Sequence, residues 1–268
     1  MNATERIRVG VFGAGGRMGV TVCQAVASDD RLELVAAVDP FHAGLDIGQV
    51  AKIEGLDIQV SSSADALSRA EAEVAVDFTH IDAARENLRY LAENGIHAVV
   101  GTTGFSEDDY NEATTLFTKS NCLIAPNFAI GAVLMMRFAE IAAPFFESAE
   151  IIELHHDQKI DAPSGTAVMT AQRMAAASAS WSPDPTEQQV YPGARGGKGP
   201  AGISIHSVRL RGLVAHQEVL LGTTGQTLSI RHDTTDRSSF MPGVLAAIRA
   251  VAGRPGLTVG LEQLLGLD

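Results

Sequence analysis

Short apolar segments alternate with longer amphipathic segments over the first half of the chain. Five of the apolar segments are rich in β-branched residues and have the length of buried strands, at residues 7–13, 32–39, 74–79, 97–100 and 122–125. The segment between the third and fourth places Ala84, Leu88 and Leu91 on one helical face before Asn94-Gly95 ends the pattern. Strands that alternate with helices predict right-handed βαβ units around a parallel sheet.

The pattern changes after Asn127. Residues 131–146 predict a helix that is apolar on almost every side. Strands and helices of ordinary length follow, at residues 150–155, 165–179, 203–211, 213–221, 227–232 and 239–252. Residues 182–202 contain four of the ten prolines and predict a long loop, and the glycine turns after it favour an antiparallel or mixed sheet. We therefore expect two domains, with boundaries near Asn127 and Arg237.

Composition narrows the class of protein. The 268 residues carry a net charge of −12 and contain no run of Lys or Arg, which argues against nucleic acid or an anionic membrane as a partner. No apolar stretch approaches the roughly 20 residues of a membrane span, and the first eight residues lack the apolar core of a secretory signal. Cys23 and Cys122 are too few for a disulfide framework and are expected to be buried thiols. The sequence predicts a folded cytoplasmic protein that binds any anionic ligand in a local cationic pocket.

A glycine-rich turn follows the first predicted strand and opens a helix. Its spacing is G-x-x-G-x-x-G through Gly13, Gly16 and Gly19, which departs from the usual G-x-G-x-x-G. In this position backbone amides and a helix N-terminus can hold a pyrophosphate. Asp39 ends the second strand 20 residues after Gly19, where a carboxylate can accept hydrogen bonds from ribose hydroxyls. The simpler alternative is a tight turn beside a solvated strand-end aspartate.

The residues around Asp39 bear on the choice of nucleotide. Pro40 and Phe41 follow it instead of an arginine that would neutralise a 2′-phosphate, and the carboxylate itself would repel one. NADH is therefore favoured over NADPH. Arg17, inside the glycine turn, keeps NADPH open as an alternative because its guanidinium can reach a phosphate.

Three further turns follow predicted strands and so fall at the carboxyl edge of the sheet, where doubly wound folds bind ligands. They are Phe78-Thr79, Gly101-Thr102-Thr103-Gly104 and Ala125-Pro126-Asn127-Phe128. Each taken alone is better explained by ordinary turn chemistry.

The loop from Leu154 to Ala167 is the most informative stretch of the sequence. His155, His156 and Lys159 place up to three proton donors in one strand-to-helix connection. Ser164-Gly165-Thr166 then opens a helix whose unpaired amides attract a carboxylate or a phosphate. The alternative is a solvated polar loop in which Ser164 is only an N-cap. A metal site is not expected, because adjacent histidines on a strand end diverge and no Cys or third His lies at ligand spacing.

The motifs E-L-H-H-D-Q-K-I-D-A-P-S-G-T-A, G-A-G-G-R-M-G, G-T-T-G-F and A-P-N-F-A-I-G together closely resemble the 4-hydroxy-tetrahydrodipicolinate reductase (dihydrodipicolinate reductase) family. R-H-D-T-T-D-R-S-S-F is similar to the segment in which that family's chain returns to its nucleotide domain. The resemblance implies an α/β fold with a Rossmann-like doubly wound parallel sheet and a C-terminal mixed α/β domain. Residues 1–128, completed by 238–268, would bind the dinucleotide, and residues 129–237 would bind substrate and build a homotetramer.

The resemblance also implies roles for individual residues. His155 would be the general acid, with Lys159 assisting it, and Thr103 would face the substrate. The substrate carboxylates would be held by His156, Lys159, Ser164, Gly165 and Thr166. The residues implied to contact NADH or NADPH are Gly13, Ala14, Gly15, Gly16, Arg17, Met18, Asp39, Phe78, Gly101, Thr102, Thr103, Ala125, Pro126, Asn127, Phe128, Arg237 and Phe240.

The implied reaction belongs to diaminopimelate and lysine biosynthesis. Hydride would pass from nicotinamide C4 to C4 of a dehydrated cyclic imine that carries two carboxylates, and a proton would reach the neighbouring carbon. Closure of the two domains would exclude water. Two other hypotheses remain at this point: a Rossmann dehydrogenase acting on a sugar or an amino acid, and a non-catalytic protein that senses NAD.

Overall fold

The computed structural model describes residues 6–267. Its strands, in chain order, are β1 (Ile7–Phe12), β2 (Leu32–Val38), β3 (Val74–Asp77), β4 (His97–Val100), β5 (Cys122–Ile124), β6 (Ser148–His155), β7 (Gly197–Lys198), β8 (Ser204–Arg209), β9 (Ala215–Thr223), β10 (Gln226–Thr234) and β11 (Leu257–Val259). Its α-helices are α1 (Arg17–Ala27), α2 (Ile47–Ala51), α3 (Asp65–Arg69), α4 (Ile81–Glu93), α5 (Glu107–Leu116), α6 (Ile130–Ala142), α7 (Gly165–Ala177) and α8 (Met241–Ala250). Short 3-10 turns lie at Ala143–Phe145, Pro200–Gly202, Arg237–Phe240, Val251–Gly253 and Glu262–Leu265.

The chain divides into two compact units. Of the described residues, the first unit contains 6–128 and 240–267, and the second is Ala129–Ser239. The first unit is built on a six-stranded parallel sheet in the order β11-β5-β4-β3-β1-β2. Strand order reverses between β1 and β3, which is the point where doubly wound sheets bind their ligands. The predicted Rossmann-like sheet is confirmed.

Strand β11 was not predicted from the sequence pattern. This strand has only three residues between Gly256 and Gly260, too few to show a period, and it pairs with β5 in parallel. The side-chain amide of Asn121, just before β5, also holds the segment that precedes β11. It donates to the carbonyl oxygens of Val251 and Ala252, at 2.9 Å each. The first unit therefore depends on residues from both ends of the chain.

The second unit contains a five-stranded mixed sheet in the order β10-β9-β6-β8-β7. β6 lies at its centre, antiparallel to β9 and parallel to β8. The mixed sheet is as predicted. The predicted helix at 131–146 is shorter, however: α6 ends at Ala142 and a 3-10 turn follows, because Pro144 has no amide hydrogen to continue the α-helical ladder. The proline-rich segment is irregular except for β7 and the 3-10 turn at Pro200–Gly202.

Both cysteines are free, buried thiols, as predicted, and burial raises the pKa of Cys23 to about 12. None of the helices in residues 6–267 is long and apolar enough to cross a membrane.

The first turn of α1 packs very closely on the glycine turn. A Cβ atom at Gly19 would meet the carbonyl oxygen of Gly13 well inside van der Waals distance. Because that obstacle is backbone, we expect Gly19→Ala to lower the free energy of unfolding by about 1–3 kcal/mol. Gly253→Ala is the matched control, because a Cβ there meets nothing within 4 Å. Chemical denaturation of both variants measures the difference, and equal stabilities would contradict the packing argument.

Candidate active site

The glycine turn of the first unit leaves the start of α1 open. Gly13 adopts a φ of +63° and allows the sharp exit from β1, and Gly16 is the N-cap with no side-chain hydrogen bond to the helix. The first amides of a helix have no acceptor within the helix, so those of Arg17 and Met18 are available to an anion. A Cβ at Gly15 would overlap the ring of His42. The turn is therefore a backbone cradle of the kind that holds a pyrophosphate.

Asp39 is bound to this turn. Its carboxylate is 4% exposed and accepts hydrogen bonds from the amides of Gly15, at 3.0 Å, and Phe41, at 2.9 Å. Nδ1 of His42 lies 3.2 Å from the same carboxylate. A carboxylate has about four acceptor positions, so Asp39 keeps capacity for ribose hydroxyls beside the cradle.

A second buried carboxylate, Asp77, organises the ends of β3 and β4. It is 1% exposed and accepts from the amide and hydroxyl of Thr79, at 2.8 and 2.7 Å. It also accepts from the hydroxyl of Thr102 at 3.1 Å and from Nδ2 of Asn87 in α4 at 2.7 Å. Thr102 is therefore a buried structural link, and the neighbouring Thr103 is exposed. Asp77 and Asn87 were not predicted as site residues from the sequence pattern.

Aromatic rings pack against the turn that follows β4. The ring of Phe78 lies where a Cβ of Gly101 would be, and its centroid is 5.6 Å from that of Phe128. Phe128 is buried, so its ring serves packing, and a ligand at this turn has access to the exposed Pro126 instead. Apart from Phe240, the predicted cofactor residues of the first unit thus lie in turns at the carboxyl edge of one parallel sheet or in the first turn of α1. Arg237 and Phe240 lie apart from these turns in sequence, in a 3-10 turn.

In the second unit, β6 ends in a histidine backed by a buried carboxylate. Nδ1 of His155 lies 2.5 Å from Oε2 of Glu153, which has no exposed side-chain surface. The guanidinium of Arg209 on β8 donates to both oxygens of Glu153, at 2.9 and 2.8 Å. Burial by itself would raise the pKa of Glu153, but hydrogen bonds from His155, Arg209 and Ser207 outweigh it and lower that pKa to about 2.

The N-terminus of α7 lies next to this group. The hydroxyl of Ser164 accepts from the amide of Ala167 at 3.2 Å, which confirms Ser164 as the N-cap. The amide of Ser164 donates to Oε1 of Glu153 at 3.2 Å. Gly165 is exposed, a Cβ there would meet nothing within 4 Å, and Thr166 follows it in the first turn. An anion can therefore approach these first amides of α7.

Two further donors lie on the loop between β6 and α7. Nδ1 of His156 accepts from the amide of Gln158 at 3.2 Å, so in the neutral ring Nε2 carries the hydrogen and can donate to an anion. Nζ of Lys159 contacts both oxygens of Asp161 at 2.8 Å, and this hydrogen bond lowers the pKa of Asp161. The ammonium group has three hydrogens, so Lys159 can donate to a second carboxylate while it remains paired with Asp161.

Comparisons with known proteins agree with the motifs. Family models for the N-terminus and the C-terminus of dihydrodipicolinate reductase match residues 7–128 and 131–265. Proteins named 4-hydroxy-tetrahydrodipicolinate reductase from Cutibacterium acnes and Mycobacterium marinum are each 51% identical, over 98% of this chain and 100% of theirs.

A solved structure of dipicolinate-bound dihydrodipicolinate reductase from Paenisporosarcina sp. TG-14 is 40% identical, with a TM-score of 0.83. The match covers 96% of this chain and 99% of that one. Sequence and structure thus agree over both units. The chain belongs to the dihydrodipicolinate reductase family.

Proposed function

We propose that this protein reduces 4-hydroxy-tetrahydrodipicolinate, through its dehydrated cyclic imine, to tetrahydrodipicolinate in diaminopimelate and lysine biosynthesis. It is an oxidoreductase that uses a nicotinamide cofactor. The observation that carries the proposal is the group at the end of β6: a histidine on a buried carboxylate, beside an open helix N-terminus and a lysine. A substrate that carries two carboxylates and takes up a proton at a ring carbon during reduction suits this group.

The residues of each unit have distinct tasks in the proposed reaction. The bound cofactor supplies a hydride, and the open amides of α1 and the carboxylate of Asp39 hold its phosphates and ribose. One substrate carboxylate binds at Ser164, Gly165 and Thr166, and the other at His156 and Lys159. His155 donates a proton to the carbon next to the hydride acceptor. Local positive charge matters here because the chain as a whole carries −12.

The test is oxidation of NADH, and separately of NADPH, with substrate generated in place from pyruvate and aspartate semialdehyde by a coupled synthase. We expect rapid oxidation that depends on the synthase. Absence of oxidation with either cofactor, from folded protein that binds NADH, would contradict the proposed function.

The same assay tests cofactor preference. We propose NADH as the preferred cofactor, because a 2′-phosphate would lie against the carboxylate of Asp39. Arg17 is exposed and pairs with no carboxylate within residues 6–267, so it is the side chain that makes residual use of NADPH possible. We expect Arg17→Gln to raise KM for NADPH by about tenfold and KM for NADH by less than about twofold.

The control for that variant is Arg31→Gln. Arg31 is an exposed arginine that directly precedes β2, at the amino edge of the same sheet. Its replacement should leave both KM values unchanged. Equal increases for the two cofactors in Arg17→Gln would assign Arg17 to the shared pyrophosphate instead.

We further propose a cytoplasmic homotetramer. Helix α6 and the turn after it expose Phe138, Ile141 and Phe145, which are 49%, 53% and 75% accessible in one chain. Large exposed apolar side chains in one segment favour burial against another subunit. Light scattering after size-exclusion chromatography should give four times the 28.2 kDa mass of the chain.

A further inference from the structure

Glu153 is a buried carboxylate that accepts several hydrogen bonds and has no exposed surface. His155 and Arg209 donate to Oε2, Arg209 and the amide of Ser164 donate to Oε1, and the side chain of Ser207 is a further donor. We propose that Glu153 is a positioning residue of the reaction. It fixes the ring of His155 so that Nε2 is the proton-donating nitrogen. It also holds that ring at a fixed position relative to the N-terminus of α7, where a substrate carboxylate binds. This inference rests on the proposed function for its meaning in catalysis.

The bonding pattern requires a carboxylate at this position. Both oxygens act as acceptors, so replacing one oxygen by an NH₂ group sets a donor against a donor. If the amide turns its NH₂ to His155, it opposes the hydrogen on Nδ1. If it turns the other way, it opposes Arg209 and Ser164. Glutamine has the same shape as glutamate but cannot satisfy all of these donors.

The carboxylate also determines which ring nitrogen carries out proton transfer. An ionised carboxylate only accepts, so the 2.5 Å contact places a hydrogen on Nδ1 of His155. In the imidazolium form the second hydrogen lies on Nε2. When Nε2 gives its proton to the substrate carbon, the ring becomes neutral and keeps the hydrogen on Nδ1. Solvent then returns a proton to Nε2, which completes the cycle.

Charged groups of both signs surround His155. Glu153 stabilises the imidazolium, and Arg209 partly offsets that effect by pairing with the same carboxylate. On β9, His216 lies opposite Leu154 and pairs with Asp233 of β10. On the loop after β6, Lys159 pairs with Asp161 and Asp157 with Arg211, and the first turn of α7 carries no acidic residue. His156 is the remaining titratable group of that loop.

The same side chain connects the acid to the anion site. Oε1 of Glu153 accepts from the backbone of the residue whose hydroxyl caps α7, so Ser164 is fixed from two sides. A shift of the carboxylate would move both the proton donor and the first turn of α7. Proximity effects in catalysis depend on such fixed geometry, because a displacement of about 1 Å can cost up to roughly 10²-fold in rate.

The kinetic test compares Glu153→Gln with Glu150→Gln. Glu150 is on the same strand and contacts a histidine in the same way, with Oε2 2.5 Å from Nε2 of His206 and an ion pair to Arg195. For Glu153→Gln we expect kcat to fall by about tenfold, with KM for the substrate within about threefold of the wild-type value. Glu150→Gln should leave both quantities unchanged.

A second variant removes a partner of the carboxylate. Arg209→Gln takes away two of the donors that hold Glu153 in place, so it should also lower kcat while KM for the substrate stays within about threefold of the wild-type value. A purely structural role for the two residues would change kcat and KM together or leave both unchanged, and either result would overturn the proposal. Because the variants are independent, failure of one to fold leaves the other as a test.

A third readout does not need activity. Diethyl pyrocarbonate acylates unprotonated imidazole, and peptide mapping by mass spectrometry follows each histidine separately. At neutral pH, His155 should react several-fold faster in Glu153→Gln than in wild type, while the exposed His80 reacts at the same rate in both and serves as an internal reference. Unchanged reactivity of His155 would overturn the inference. A wild-type protein without reductase activity would instead overturn the proposed function, and the acylation rates would still decide the role of Glu153.

Discussion

Replacement of His155 by alanine is expected to lower kcat by roughly 10² or more, because a positioned general acid contributes about that factor to proton transfer. The histidine is only 16% exposed, and its ring is fixed by Glu153. Its removal eliminates the proton donor but leaves the N-terminus of α7 and Lys159 in place. The loss should therefore fall on kcat more than on KM, and steady-state kinetics with saturating cofactor measure both.

His206→Ala is the control for this variant. His206 has the same short contact to a glutamate and lies on β8 of the same sheet, but its partner is Glu150 at the other end of β6. We expect its activity to stay within about twofold of wild type. Full activity in His155→Ala would contradict the assignment of His155 as the acid.

The second large effect is expected for Lys159→Met. Methionine keeps the length of the side chain and removes the ammonium, so a doubly charged substrate loses a cationic partner. The remaining Asp161, now without its partner, would repel the substrate carboxylate as well. We expect kcat/KM to fall by roughly 10², with an increase in KM as the main component.

Lys198→Met is the control for that change, since Lys198 is an exposed lysine on β7 of the same unit. A further comparison separates the two causes: in Lys159→Met/Asp161→Asn, part of the lost affinity should return because the unpaired carboxylate is gone. If KM in Lys159→Met equals the wild-type value, the lysine does not contact the substrate carboxylate.

The parallel sheet could be predicted because its strands are buried on both faces. Segments such as 74–77 and 97–100 have no polar alternation, and each ends in a turn with its own chemistry. Strand β11 could not be predicted in this way. Its three residues acquire their conformation from β5, which lies 133 positions or more earlier in the chain, and a local pattern carries no information about that pairing.

Some residues of the candidate site could likewise be predicted from the sequence, and others could not. His155, Lys159 and Ser164 were identified because their residue types and spacing indicate chemistry directly. Glu153 was overlooked, although a residue two positions before His155 on a strand shares its face and is therefore a natural partner. Arg209 lies 56 residues from Glu153 and reaches it only because β6 and β8 are neighbours. Asp77 likewise looks like the polar end of a strand until its burial is known.

The return of the chain to the first unit has a consequence for biosynthesis. The edge of β5 stays open until the ribosome has translated Leu257–Val259. Until Met241–Ala250 have been made, α8 is also not available to cover α1 and β4. An unpaired parallel edge of buried composition is a site for wrong strand pairing. The second unit, Ala129–Ser239, emerges completely before that edge can be covered. The nascent protein must therefore keep an unfinished nucleotide-binding sheet in solution while more than a hundred further residues are synthesised. Binding of a chaperone to the edge of β5 would be advantageous during this period.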